Sequence, residues 1–166
     1  MSRPSGSVFG PALLLGAGLG GFLDGIMLHQ ILRWHHLLSE RQDAGQTANL
    51  VADGLFHTAA WLAVLAGVLW LWHRTGRGVP ETGHHRAGQR RWGALAGPMV
   101  AGWGLFNLGE GAVNHHLLGL HHVRPGPDQT LYDIGFLALG ALWVAGGLAW
   151  QRAASRSESP MDAGAA

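Results

Sequence analysis

The sequence contains no cysteine, no lysine and only one tyrosine. Without thiols there is no disulfide framework and no thiolate metal site, and the redox compartment stays open. Charge is scarce too. Charged residues make up 13% of the chain, about half the roughly 25% of an ordinary soluble domain. The net charge of +1 says little about partners, and no nucleic-acid partner is expected.

What the chain has instead is long apolar runs. Four of them cover approximately Val8–Trp34, Asn49–His73, Trp92–Leu118 and Leu131–Trp150. Each reaches the roughly 20 residues that a helix needs to cross a bilayer. A soluble core could account for one such run but not for four in succession. The pattern predicts an all-α, four-helix transmembrane bundle over residues 8–150. The first run is long, carries Asp24 and His29, and lacks a clean small-residue cleavage site, so it is not expected to be a signal peptide.

Arginine retained on the cytoplasmic side sets topology. Arg3, the loop over 74–91 with Arg74, Arg77, Arg86, Arg90 and Arg91, and the tail with Arg152 and Arg156 outweigh Arg33, Arg41 and Arg124 in the other two loops. Both termini and the middle loop are therefore expected in the cytoplasm. The N-terminal 1–7 is a short cytoplasmic segment, and the tail 151–166 is expected to be disordered. Trp72, Trp92 and Trp150 fall near inner helix ends and Trp34 near an outer end, as interfacial anchors do.

A duplication is written into the polar residues. "DGIMLHQILRWHH" at 24–36 and "EGAVNHHLLGLHH" at 110–122, 86 positions later, share acid-Gly-x3-His-x5-His-His. Asp24 matches Glu110, His29 matches His115, and His35–His36 match His121–His122. The chain reads as two helical hairpins, repeat 1 over about 8–73 and repeat 2 over about 92–150, in parallel orientation. The second helix of each hairpin opens with its own acid, Asp53 in "ADGLFH" and Asp133 in "LYDIGF". His57 has Leu137 as its counterpart, so the symmetry is imperfect.

Ionisable groups at membrane depth cost on the order of 3 kcal/mol each by insertion scales, so they are expected to neutralise one another or to bind something. Imidazole and carboxylate suit a borderline or hard divalent metal. The expected core site is Asp24, His29, Asp53, His57, Glu110, His115 and Asp133, with His35, His36, His116, His121 and His122 as further ligands or a gate. With only Met27 as an internal thioether, iron, zinc or Cu(II) is favoured over a Cu(I) carrier. One geometric difficulty stands out. Asp24 and His29 are five apart, about 140° on an α-helix, so either a kink near Gly25 aligns them or they serve neighbouring positions.

Two other readings compete. His29 and His115, at equal depth on two helices, could ligate a bis-histidine haem, although the acids would then be idle. Alternatively, acids and imidazoles could form a closed hydrogen-bond network. Transport across the membrane is weaker, because "PALLLGAGLGG" and "WLAVLAGVLWLW" offer almost no polar stepping stones.

The stretches "DGIMLHQILRWHH", "DGLFH", "FNLGEGAVNHHLLGLHHVRP" and "YDIGF" resemble a bacterial family of predicted membrane proteins, domain of unknown function twenty-two forty-three. The resemblance covers roughly residues 15–150 and implies a four-helix membrane protein, and the expected location is the bacterial inner membrane. A looser likeness to membrane di-iron hydroxylases and desaturases stops at the histidine count. Their boxes have other spacings and face the cytoplasm, so an oxygenase activity is not carried over. The functional expectation is an outward-facing His/carboxylate metal site. It is either a di-metal redox centre with Tyr132 beside it, or a metal-binding or assembly factor for a membrane enzyme. The expected partners are the lipid bilayer and a membrane redox enzyme or a second copy.

Overall fold

The computed structural model describes residues 8–75 and 85–156, with the side chains of 85–93 left aside. The expectations for residues 1–7, for most of the arginine-rich loop and for the end of the tail lie outside the described residues. Most of the described residues are helical. The elements are α1 (Phe9–Asp24), continued by a π-helical stretch π1 (Gly25–Ile31), then α2 (Gln46–Thr75), α3 (His85–Glu110), its continuation π2 (Gly111–Leu117), and α4 (Gln129–Arg156). Helix α4 begins after the Pro125–Gly126–Pro127 turn, where the Asp128 carbonyl accepts from the N–H groups of Leu131 and Tyr132. The prolines lack the N–H that a preceding turn of helix would use, which favours a start after them.

Three of the helical segments, Phe9–Ile31, Gln46–Thr75 and Gln129–Arg156, are long and apolar enough to cross a membrane. Helix α3 is not among them. Glycines, tryptophans, Pro98 and Asn107 dilute its apolar residues. Its position explains why this is tolerated: α3 packs between α1 and α4, while α2 packs on the other side of α1. Among the described residues α2 and α4 do not meet. The helices thus stand in the order α2–α1–α3–α4, and not as a square bundle with four facing walls.

Small residues make the central crossing close. A methyl added at Gly16 would collide with the backbone of Met99, and one at Gly102 with the backbone of Leu13. These contacts are reciprocal, because Met99 and Gly102 lie 86 positions beyond Leu13 and Gly16. Without Cβ atoms the two backbones reach van der Waals contact, the main source of helix adhesion in lipid. The outer helices bury one narrow stripe each, Asp53, Ala60 and Gly67 on α2 and Asp133, Gly140 and Gly147 on α4. Their other faces carry exposed Leu55, Trp61, Leu69, Leu131, Ile134 and Leu142, which a bilayer would cover.

Candidate metal centre

The two π-helical stretches resolve the difficulty with Asp24 and His29. A π-helix is closed by i→i+5 hydrogen bonds, here Leu32 N–H to Met27 C=O and Leu118 N–H to Val113 C=O, both at 2.8 Å. Residues five apart then stand one above the other instead of 140° apart. His29 Nε2 accordingly lies 3.6 Å from Asp24 Oδ2, and His115 Nε2 lies 3.2 Å from Glu110 Oε2. Both acids and both histidines are buried.

The opposite ring nitrogens face the even-numbered helices. His29 Nδ1 donates to Asp53 Oδ1 at 3.0 Å, and His115 Nδ1 lies 3.3 Å from Asp133 Oδ1. The same carboxylates take His36 Nδ1 and His122 Nδ1, each at 2.6 Å, and the N–H groups of Leu37 and Val123 at 2.8 and 2.9 Å. Asp53 and Asp133 are therefore saturated from several sides. Both acids, expected in the ligand set, thus have their oxygens engaged by imidazole and by backbone N–H groups of the loop after each π-helix. Phe56 and Phe136, three residues after each acid, lie against the rings of His29 and His115 at 5.5 and 5.4 Å. The acid-x2-Phe spacing on both even-numbered helices was the signal available for these two.

The first histidine of each pair turns out to be the deeper one. His35 and His121 are buried, whereas His36 and His122 stay partly exposed. Each buried ring reaches across to the other hairpin: His35 Nδ1 donates to Val123 C=O at 2.8 Å and His121 Nδ1 to Leu37 C=O at 3.2 Å. The two rings stack at 4.4 Å with 15° between their planes. Burial pushes the His35 imidazole down to about 3, and the adjacent His121 and His29 push the same way. A neutral ring that donates from Nδ1 must carry a lone pair on Nε2.

Two sets of donor atoms converge, each within 4.8 Å: His29, His35 and His121, and Glu110, His115 and His121. Donors that share one ion at about 2.1 Å lie roughly 3–4 Å apart, so small side-chain movements would close either set. Several of these atoms have no hydrogen-bond partner although they are fully buried: Asp24 Oδ2, His29 Nε2, His35 Nε2, Glu110 Oε2 and both nitrogens of His115. Each such group costs about 1–3 kcal/mol. Glu110 is the better engaged acid. It reaches His121 Nε2 at 2.8 Å, and Asn114 Nδ2 donates to it at 3.4 Å.

The remaining candidates fall outside this group. His57 donates from Nδ1 to its own helix at Asp53 C=O, at 2.7 Å, and its Nε2 covers Gly25. In the other hairpin Leu137 covers Gly111. His116 is exposed. Between His29 and His115, where a haem would have to sit, the rings of His35 and His121 form a continuous series of contacts at 4.6, 4.4 and 4.8 Å. Tyr132 accepts a hydrogen bond from Arg124 at 2.7 Å, and the guanidinium lies over both Tyr132 and Trp34.

No curated protein and no solved structure matches this chain. A family model does, over residues 11–154, which include both hairpins and every residue of the cluster. The chain therefore belongs to the family of predicted membrane proteins DUF2243.

Proposed function

We propose that this is a bacterial inner-membrane protein holding a resident transition-metal centre at the outer end of two duplicated hairpins. Asp24, His29 and His35 supply ligands from one hairpin, and Glu110, His115 and His121 from the other. Asp53 and Asp133 act as the orienting carboxylates behind His29 and His115, an arrangement that fixes the tautomer and raises ligand basicity. Helix α3, flanked by α1 and α4, crosses the membrane with the other three. The arginine distribution supports cytoplasmic termini.

One observation carries the metal reading. Of the buried atoms that face one another, the Nε2 atoms of His29, His35 and His115 and the oxygens Asp24 Oδ2 and Glu110 Oε2 lack partners, while His121 Nε2 meets Glu110 Oε1 and the Nδ1 atoms of His29, His35 and His121 are bonded behind them. A closed hydrogen-bond network would leave the opposite pattern, with the interior satisfied. Imidazole and carboxylate in this ratio suit iron, zinc or Cu(II). A resident redox centre is better supported than a carrier. The ligands are buried and held from behind, which opposes the rapid ligand exchange that metal transfer needs. Such an ion would supply a Lewis-acidic or one-electron site with positions open to a small oxidant.

Metal analysis and an optical spectrum of detergent-purified protein test the reading. The expected result is stoichiometric metal retained through purification, a spectrum that changes on reduction, and loss of both in Glu110→Ala and His115→Ala. Metal-free protein that cannot be loaded, or metal content unaffected by these substitutions, would sink it. A Soret band would favour haem instead.

A further inference from the structure

We infer that the first hairpin carries a cleft that binds a small phosphate-like oxoanion directly beside the centre. The cleft, of about 440 Å³, lies between π1 and the start of α2 and is lined by His29, Gln30, Arg33 and His36 on one side and by Gln46, Asn49 and Leu50 on the other. Its volume falls in the range of small-molecule sites. The lining contains a guanidinium, two imidazoles and three side-chain amides, and no carboxylate. The Asp53 oxygens behind His36 are taken up by His29, His36 and Leu37.

Three further observations point to an anion. Gln46, Asn49 and Leu50 belong to the first turns of the 30-residue α2, so the positive end of its dipole meets the cleft. Asn49 Oδ1 accepts from Leu38 N–H at 3.1 Å, and its N–H2 group is a donor. Arg33 has φ 53°, and among the described residues it is the only non-glycine residue with positive φ. The same position in the second hairpin is Gly119, at φ 54°, where the left-handed conformation costs nothing. The first hairpin thus keeps a strained arginine where glycine would fit, and strain of this kind collects at binding sites. A planar guanidinium is suited to two-point contact with an oxoanion. At the back of the cleft stands His29, buried and with its Nδ1 committed to Asp53.

Titration calorimetry with inorganic phosphate, on chelator-treated protein in a phosphate-free detergent, tests the cleft itself. Wild type should bind saturably. Arg33→Gly should weaken binding at least tenfold while its thermal midpoint stays equal or rises, and Arg41→Gln, in the same loop but outside the lining, should bind as wild type does. Absence of saturable binding, or equal binding by Arg33→Gly and wild type, overturns the proposal. Native mass spectrometry separates the sources. Phospholipid that copurifies with wild type and is lost from Arg33→Gly would identify a lipid headgroup, and phosphate binding without such lipid a free oxoanion; either outcome supports the cleft. That the anion adjoins a metal rests on the proposed function. In cobalt-loaded protein, phosphate should shift the visible bands, and binding without a shift overturns the adjacency. Failure to take up cobalt would overturn the metal reading and leave the calorimetric result to decide the cleft.

Discussion

The two hairpins share one backbone plan and differ in a few side chains at the same end. Both have the π-helical stretch, the orienting aspartate and the crossing histidine. Yet Glu110 lies 3.2 Å from His115 and 2.8 Å from His121, whereas the shorter Asp24 lies 3.6 Å from His29. The first hairpin has the open cleft and Arg33; the second has Gly119 and an arginine held between Trp34 and Tyr132. Under the proposed function, this matched scaffolding with unmatched side chains divides the labour: one half grips the ion and the other admits a guest.

The largest expected contrast is between two stacked residues. His121 belongs to both donor sets and His35 to one. His121→Ala should abolish metal retention, and His35→Ala should leave at least half of it, measured as bound metal per protein; equal losses would break the asymmetry. Next come the orienting acids. Asp53→Asn and Asp133→Asn each exchange a saturated acceptor for a group that can accept at only one end, and loss of such an outer partner typically lowers metal affinity 10–100-fold. Competition with a chelator should place both variants in that range, together with a destabilisation of about 1–3 kcal/mol. Unchanged affinity would mean that neither acid orients a ligand.

A smaller effect is expected from equalising the halves. Asp24→Glu adds the methylene that Glu110 has and should raise metal affinity a few-fold in the same competition, while Glu110→Asp should lower it. A reversed order would refute the assignment of the gripping half. The smallest effect belongs to His57→Leu, which copies Leu137. Metal content should be unchanged and stability should shift by about 1 kcal/mol or less, since a single hydrogen bond to Asp53 C=O is lost. Loss of metal in this variant would return His57 to the ligand set.

The sequence made the helices legible because lipid-facing runs need no tertiary information, and it made the cluster legible because polar groups stand out against them. Its limits were geometric. The acid-x4-His spacing is awkward on an α-helix, and that awkwardness was itself the trace of the π-helices at Gly25 and Gly111. The spacing does not record which ring nitrogen of His29 each acid meets, Nε2 for Asp24 and Nδ1 for Asp53. The burial of His35 and His121 depends on chain that folds back after each helix, which no periodicity records. The order of the helices was hidden as well, because a lone stripe of small residues on α2 or α4 does not reveal its neighbour.

The anchoring of His35 on Val123 and of His121 on Leu37 has an evolutionary corollary. Neither half can position its central imidazole without the loop of the other. If the chain arose by gene doubling, its single-hairpin forebear could have built the pocket only by associating with its own twin, and fusion then freed each copy to diverge.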